Sequence, residues 1–175
     1  VRLDRRLIEL EAALDWYRLS CLERTINGWV VYAMALAEVM PDQAVRDMLK
    51  RFPFTEAERT AVTQARFLTQ PVCRTLAKRA PLRPSETVAI LGGLSEECLV
   101  FLLAKNPSET AKRHLSQYLT TYRDVKPMLT GKALKALGLS PGPLYRTILE
   151  RLTQARLDGE VKSEAEERAL VKECT

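Results

Sequence analysis

Apolar residues recur every three or four positions along much of the chain, which is the spacing of one face of an α-helix. The N-terminal segment carries such a stripe, formed by Leu3, Leu7, Leu10, Leu14, Tyr17 and Cys21. A second stripe, after Ser108, is formed by Ala111, Leu115, Tyr118, Leu119 and Tyr122. No stretch alternates apolar and polar residues for long enough to predict a β-strand. The pattern therefore predicts an all-α fold, a compact bundle of about nine short-to-medium helices with no sheet.

The starts of several later helices are marked by a hydroxyl residue followed by glutamate. These pairs are Thr55-Glu56, Ser85-Glu86, Ser95-Glu96, Ser108-Glu109 and Ser163-Glu164. The hydroxyl can accept a hydrogen bond from a backbone N–H that has no partner inside the helix, and the glutamate complements the positive helix end. Thr55 with Glu58, and Ser163 with Glu166, have the spacing of full capping boxes. Prolines, Pro71 among them, are predicted to lie between helices.

The segment from Thr130 to Val161 predicts two helices around the turn Pro141-Gly142-Pro143. Thr130 is suited to cap a short helix that runs to Leu137, and Gly138 ends that helix. Pro143 suits the first turn of the next helix, where its missing N–H costs no hydrogen bond. The apolar stripe of this second helix is formed by Leu144, Tyr145, Ile148, Leu149, Leu152 and Ala155.

Positive charge is concentrated in one part of the chain. The whole sequence carries a net charge of +5, yet residues 105–156 hold 10 cations and 3 anions, whereas residues 157–175 hold 3 cations and 6 anions. A concentrated positive region favours a polyanionic partner, because neutralised phosphates release their counterions. For any single charged run, a solvated surface is the alternative interpretation.

The helix after Ser108 shows how such a partner could be bound. Its polar face, opposite the apolar stripe, is formed by Lys112, Arg113, Ser116, Thr120 and Arg123. Hydroxyl groups between cations can donate hydrogen bonds to phosphate oxygens. This face therefore predicts contact with a nucleic-acid backbone.

The chain offers little catalytic or metal chemistry. Its four cysteines, Cys21, Cys73, Cys98 and Cys174, form no CxxC pair, and His114 is the only histidine. This composition argues against a zinc site and predicts free thiols in a reducing cytoplasm. The sequence has no phosphate-binding loop, no nucleophile–histidine set and no carboxylate pair with metal-binding spacing. No catalytic or metal-binding residue is predicted.

Neither a membrane span nor a targeting segment is predicted. The longest apolar run, Trp29 to Ala37, is far shorter than the roughly 20 residues that a spanning helix needs. We therefore expect a cytoplasmic protein with no membrane partner. The sequence begins inside a helical pattern, without methionine or a signal peptide, and we expect it to be a fragment of a longer protein.

A series of short motifs in the C-terminal part resembles a known family. The motifs are Thr130-Gly131-Lys132, Leu134 to Gly138, Pro141-Gly142-Pro143, Ile148-Leu149 and Leu157 to Glu160. In this order and spacing they resemble the C-terminal region of bacterial tRNA nucleotidyltransferases and the related poly(A) polymerases. The match is specific over this segment and loose over the rest of the chain.

The resemblance implies a helical body, residues 1–127, and a C-terminal helical tail with the Pro-Gly-Pro hairpin, residues 128–175. The family's catalytic head, with its Gly-Ser loop and paired aspartates, has no counterpart in this sequence, and the nucleotide-selecting Glu-Asp-x-x-Arg motif is also missing. The chain is therefore expected to be inactive alone, while ATP or CTP and Mg²⁺ are implied for the missing head. In the family, the body and tail hold the acceptor and T arms of tRNA while the head adds CCA, A or poly(A) to the 3′ end.

The leading hypothesis is an RNA-binding part whose partners are tRNA, or another structured RNA, and its own catalytic head. The predicted phosphate contacts are Lys112, Arg113, Arg123, Lys126, Lys132, Lys135, Arg146 and Arg151. One alternative is a helical protein-interaction domain, in which the leucine stripe of the first helix forms the contact and a homodimer is one outcome. The other alternative is a duplex DNA binder of the helix-hairpin-helix type that uses the Pro-Gly-Pro turn.

Overall fold

The computed structural model describes residues 2–22, 24–77, 82–140 and 142–173, which form ten α-helices, one 3-10 turn and no strand. The helices are α1 (Arg2–Ser20), α2 (Gly28–Val39), α3 (Asp42–Arg51), α4 (Glu56–Leu76), α5 (Pro84–Leu91), α6 (Glu96–Lys105), α7 (Glu109–Thr120), α8 (Gly131–Ala136), α9 (Pro143–Leu157) and α10 (Glu164–Glu173), with the 3-10 turn at Tyr122–Asp124. The all-α prediction is confirmed. The predictions that concern the Leu3 side chain, Pro141 and Cys174 fall outside the described residues.

Helix α6 is the centre of the first hydrophobic cluster. Its six consecutive residues Cys98–Leu103 are each at most 8% exposed, so it has no solvent face, and it contacts α1, α2, α4 and α7. The α1 stripe packs into this cluster, with Leu10, Leu14 and Tyr17 at most 1% exposed. The stripe is confirmed except at Leu7, which is 41% exposed. Because its central residues are buried, they offer no surface for the alternative dimer contact.

The helix starts follow the predicted caps with two exceptions, Thr130 and Ser85. Thr130 stands at the N-cap position of α8, but its side chain makes no capping hydrogen bond. Thr55 and Glu58 form both hydrogen bonds of a capping box, as do Ser163 and Glu166. The Ser95 and Ser108 hydroxyls accept from the backbone at the starts of α6 and α7. Ser85 does not cap, because α5 already begins at Pro84. Its hydroxyl and backbone N–H instead donate to a carboxylate 73 residues away.

Pro71 lies inside α4 and not between two helices, so that prediction is wrong. A proline removes one backbone N–H and leaves the carbonyl four residues earlier without its helical partner. That carbonyl belongs to Phe67, which is 65% exposed, so water can reach it. Contacts of α4 with α2, α6 and α7 keep the helix continuous through the proline.

A second hydrophobic cluster forms in the C-terminal part from Leu129, Leu134, Ile148, Leu152 and Val171. Glu167 of α10 is 0% exposed and lies beside it. Its carboxylate accepts hydrogen bonds from the backbone N–H groups of Met128 (3.0 Å) and Leu129 (2.8 Å) and from Arg156 Nη1 (3.1 Å). This single buried carboxylate thus connects α10, α9 and the segment that leads into α8.

The start of α9 and the ends of α8 and α9 agree with the sequence. Helix α9 begins at Pro143, and the glycines that follow α8 and α9, Gly138 and Gly159, have φ values of 89° and 74°. These left-handed conformations are unfavourable for residues with a Cβ atom. Ile148, Leu152 and Ala155 are buried as predicted, whereas Leu144 at the start of α9 is 46% exposed.

Asp158, directly after α9, joins the two clusters. Its carboxylate accepts from the backbone N–H of Ser85 (2.9 Å) and from the Ser85 hydroxyl (2.6 Å), and Arg83 Nη1 lies 3.6 Å away. The Asp158 side chain is only 8% exposed. Because α5 also contacts α7, this joint fixes the C-terminal cluster relative to α7. The first cluster ends at Leu119 and the second begins at Leu129, while the body–tail division at 127/128 stays a prediction.

We expect Asp158→Ala to lower the free energy of unfolding by about 2–3 kcal/mol, because the partly buried Ser85 donors lose a charged acceptor. Urea denaturation followed by circular dichroism measures the change. The matched control is Asp15→Ala, since Asp15 is 64% exposed and, among the described residues, pairs only with Arg18 in the next turn, so it should change stability by at most about 0.5 kcal/mol. If both substitutions lowered the free energy of unfolding equally, the Asp158–Ser85 hydrogen bonds would not be the contact that stabilises the joint.

Candidate nucleic-acid interface

Two of the predicted phosphate contacts, Lys112 and Arg113, lie on α7, and we call their side of this helix the α7 surface. The opposite side of α7 is buried through Ala111, Leu115, Tyr118 and Leu119. Arg113 is exposed and has no hydrogen-bond or ion-pair partner among the described residues. Lys112 Nζ lies 3.0 Å from a carboxylate oxygen of Glu109, whose side chain is 86% exposed. The α7 surface therefore presents one unpaired cation and one cation in an exposed ion pair.

Arg123 does not share that surface, so its predicted place on the α7 face is wrong. Helix α7 ends at Thr120, and Arg123 belongs to the 3-10 turn that follows. Its side chain is 7% exposed, and Nη1 donates to both carboxylate oxygens of Glu96, at 2.9 and 2.7 Å. The Tyr17 hydroxyl donates to the same carboxylate at 2.6 Å. Burial, reinforced by Glu96, raises the pKa of Tyr17 well above its usual value.

Arg24 adds a second cation to this network, with Nη1 3.2 Å from Glu96 and Nη2 2.7 Å from Asp124. The network connects the end of α1, the first turn of α6 and the 3-10 turn. Arg123 therefore occupies a structural position in the protein interior, and the proposal below does not rely on it.

The remaining five predicted contacts lie in the C-terminal part, and we use the name tail surface for these five cations together. Lys126 precedes α8, Lys132 and Lys135 lie on α8, and Arg146 and Arg151 lie on α9. The three lysines are exposed and have no partner among the described residues. Arg146 Nε lies 2.8 Å from Glu150 with its side chain 86% exposed, and Arg151 Nη2 lies 2.7 Å from Glu160. The tail surface thus presents three unpaired cations and two cations in exposed ion pairs.

A groove between α1 and the α6–α7 corner was not predicted from the sequence. It encloses about 780 Å³, and its lining includes Arg5, Ala12, Trp16, Pro107, Arg113 and Ser116. Trp16, which packs against the first hydrophobic cluster, is only half-buried. The groove joins residues near position 10 to residues near position 110, so only a long-range contact could reveal it. The only local indication of the groove in the sequence is the pair of small residues Ala12 and Ala13 close to Trp16.

His114 lies beneath the α7 surface and is 7% exposed. Burial, with a smaller contribution from Arg113, lowers the pKa of His114 below its usual 6.5. The imidazole is therefore neutral at physiological pH and adds no charge to the surface.

The described residues show no arrangement for metal binding, since no three of their His, Cys, Asp or Glu side chains come together in a way that could hold an ion. Cys21 and Cys98 are buried free thiols, and Cys73 is a half-buried one. In the same part of the chain, no single helix has the length and apolarity of a membrane span. Helices α5 and α6 reach that length only as a pair bent by 112°.

Comparison with known proteins gives one relative in sequence and several in structure. No family model matches the chain. The sequence is 33% identical over 165 residues to the A-adding tRNA nucleotidyltransferase of Geobacter sulfurreducens, a match that covers 92% of this chain and 19% of that protein. The chain thus spans about a fifth of the relative's length, and the resemblance seen in the C-terminal motifs is confirmed over most of the chain.

The fold is similar to that of CCA-adding enzymes. The Thermotoga maritima CCA-adding enzyme complexed with tRNA superimposes with a TM-score of 0.78 at 16% identity, covering 98% of this chain and 41% of that one. A CCA-adding enzyme in complex with ATP superimposes with a TM-score of 0.73 at 18% identity, covering 98% of this chain and 40% of that one. At these identities the likeness establishes a shared helical fold.

We expect Arg123→Met to lower the free energy of unfolding by about 2–4 kcal/mol, because Glu96 loses its closest charge partner in a partly buried site. Urea denaturation measures the loss. Arg46→Met is the control, because Arg46 is exposed and its one hydrogen-bond partner in the described part of the chain is Gln43. Unchanged stability together with several-fold weaker RNA binding would instead assign Arg123 to the interface.

We expect the pKa of His114, measured by NMR titration of this single histidine, to lie below 6.5. The unfolded chain takes up this proton near pH 6.5, whereas the folded chain takes it up only at lower pH. The free energy of unfolding is therefore highest above pH 6.5 and falls as the pH drops toward the folded-state pKa. His114→Leu should remove this component of the pH dependence, and a titration midpoint at or above 6.5 would contradict the assignment.

Proposed function

Since this chain is related over most of its length to the tRNA nucleotidyltransferase family, we propose that it is the RNA-holding helical part of such an enzyme. The α7 surface and the tail surface contact the phosphates of the tRNA acceptor and T arms. A catalytic head outside this sequence, using ATP or CTP with Mg²⁺, adds nucleotides to the 3′ end. We propose that the protein acts in the cytoplasm.

The observation that carries the proposal is the set of cations left unpaired by the fold. Arg113, Lys126, Lys132 and Lys135 have no partner among the described residues, although acidic side chains are plentiful elsewhere in the chain. Unpaired exposed cations keep their full attraction for phosphate, because no protein carboxylate has to be displaced first. The paired residues Lys112, Arg146 and Arg151 can follow, since exposed ion pairs are weak.

The arrangement favours recognition of shape over recognition of sequence. A-form RNA has a major groove too narrow for side chains, so proteins bind its duplex through phosphates and 2′-hydroxyls. Lysines on α8 and arginines on α7 and α9 suit this kind of contact, because they bind the backbone without reading bases. The Asp158–Ser85 joint would keep the two surfaces at a fixed separation, which favours an RNA duplex of defined geometry.

The strongly bonded carboxylates among the described residues are used by the fold itself. The described residues contain no metal-binding cluster, and the carboxylates that are strongly bonded, Glu96, Asp158 and Glu167, bond to Arg, Tyr, Ser or backbone groups of the protein itself. These groups serve the fold, and the chemical step belongs to the head.

We expect the double variant Lys132→Ala/Lys135→Ala to bind tRNA roughly tenfold more weakly at low salt, and to reduce the salt slope of binding by about two, because two phosphate contacts are lost. Fluorescence anisotropy of labelled tRNA at about 50 and 200 mM salt measures both quantities. Lys50→Ala on α3 is the matched control, since Lys50 is exposed, lies outside both surfaces and has no hydrogen-bond or ion-pair partner among the described residues.

Competition separates this function from its alternatives. An unlabelled acceptor–T-arm minihelix should displace tRNA better than a DNA duplex of equal length. Equal displacement by DNA would favour the hairpin DNA binder, and no binding at low salt would refute RNA holding by this chain. Concentration-dependent self-association without RNA binding would favour the protein-interaction domain.

A further inference from the structure

The groove between α1 and the α6–α7 corner combines an aromatic wall with a cationic rim. We propose that it binds one unpaired nucleotide, with the base against the Trp16 indole and the phosphate at Arg113. This inference rests on the proposed RNA binding and adds to it a site for a nucleotide outside the duplex. The same chemistry would fit a nucleotide of an RNA strand or a free mononucleotide.

The base side of the site is built from Trp16 and small apolar neighbours. Trp16 packs against the first hydrophobic cluster and also lines the groove, so the indole is held by the core while part of it stays accessible. The walls beside it are formed by Ala12, Ala13 and Pro107. Short side chains there leave space for a flat ring, and stacking on an aromatic side chain suits every base.

The phosphate side is formed by α7. Arg113 is exposed and unpaired within the described chain, and the Ser116 side chain lines the groove one turn further on. Lys112 lies beside them and is bound only by the exposed Glu109. Arg5 and Lys105 also line the groove, but each is paired, Arg5 with Glu9 at 3.2 Å and Lys105 with Glu38 at 2.7 Å. Among the described residues of the rim, Arg113 is thus the cation left without a carboxylate partner. An anion is therefore favoured at this rim.

The dimensions select a single nucleotide over a duplex. A space of about 780 Å³ lies within the range of roughly 300–1,000 Å³ that is usual for small-molecule sites. A duplex keeps its bases stacked and paired, so it could present only its backbone to the apolar wall and would leave Trp16 unused. An unpaired nucleotide can place its base on the indole and its phosphate on the rim at the same time.

Two RNAs and one reporter test the proposal. The RNAs are a blunt acceptor–T-arm minihelix and the same minihelix with a four-nucleotide 3′ overhang. AMP serves as the free mononucleotide in a separate titration. The sequence has two tryptophans, Trp16 and Trp29. The reporter is the Trp29→Phe variant, in which Trp16 alone gives tryptophan fluorescence. We expect the overhang to increase affinity about tenfold and to quench Trp16 emission over the same concentration range.

Arg113→Ala should reduce the ratio of overhang to blunt affinity to near one, whatever it does to the blunt duplex. Trp16→Leu should also reduce this affinity ratio to near one. If Trp16→Leu unfolds the chain, Arg113→Ala still tests the proposal. Arg46→Ala, an exposed arginine of α3, is the control and should leave the ratio unchanged.

The outcomes are distinct. Blunt duplex binding with no overhang gain and no quenching would overturn the nucleotide site while leaving RNA holding intact. Absence of binding to either RNA would overturn both proposals. Saturable quenching by AMP, competing with the overhang, would support the site and assign it to a free mononucleotide. Quenching by the overhang that AMP fails to displace would support the site and assign it to the RNA strand.

Discussion

The structure depends on one helix that has no solvent face. Because six successive residues of α6 are buried, every helix that surrounds it must turn an apolar stripe inward, and the stripes of α1 and α7 do so. Burying each large apolar side chain contributes about 1.5–3 kcal/mol, so this arrangement supplies the main stability of the first cluster. It also determines which sides of α1 and α7 remain at the surface, and the groove between them is a product of that constraint.

Three carboxylates, Glu96, Asp158 and Glu167, are used within the fold, and this changes the meaning of the charge pattern. The acidic residues 157–175 include Asp158 and Glu167, which are nearly or fully buried and satisfy backbone N–H groups, a hydroxyl and arginines. Glu96 likewise binds Arg123, Arg24 and Tyr17. Since these negative charges are neutralised within the fold, the lysines of the tail surface meet less opposing charge than the sequence suggests.

The sequence predicted those features that depend on neighbouring residues. The stripes at Leu10 and Leu115, the capping box at Thr55 and the helix end at Gly138 each depend on residues within one or two turns, and the structure confirms them. Ser85 and Arg123 were misplaced because their partners lie 73 and 27 residues away. The groove around Trp16 escaped prediction for the same reason. Of the candidate site, the sequence therefore indicated the exposed cations, and only the structure separated the free ones from those that the protein binds itself.

The buried position of Glu167 has a consequence for the order in which the chain acquires its structure. The first cluster is complete at residue 119, whereas the segment entering α8 and the Arg156 side chain bond to a carboxylate in the last helix. Domains fold as units during synthesis, beginning from the N-terminal side. The first seven helices can therefore assemble while the ribosome is still extending the chain, but α8 and α9 must wait for α10 to emerge before their final packing is set.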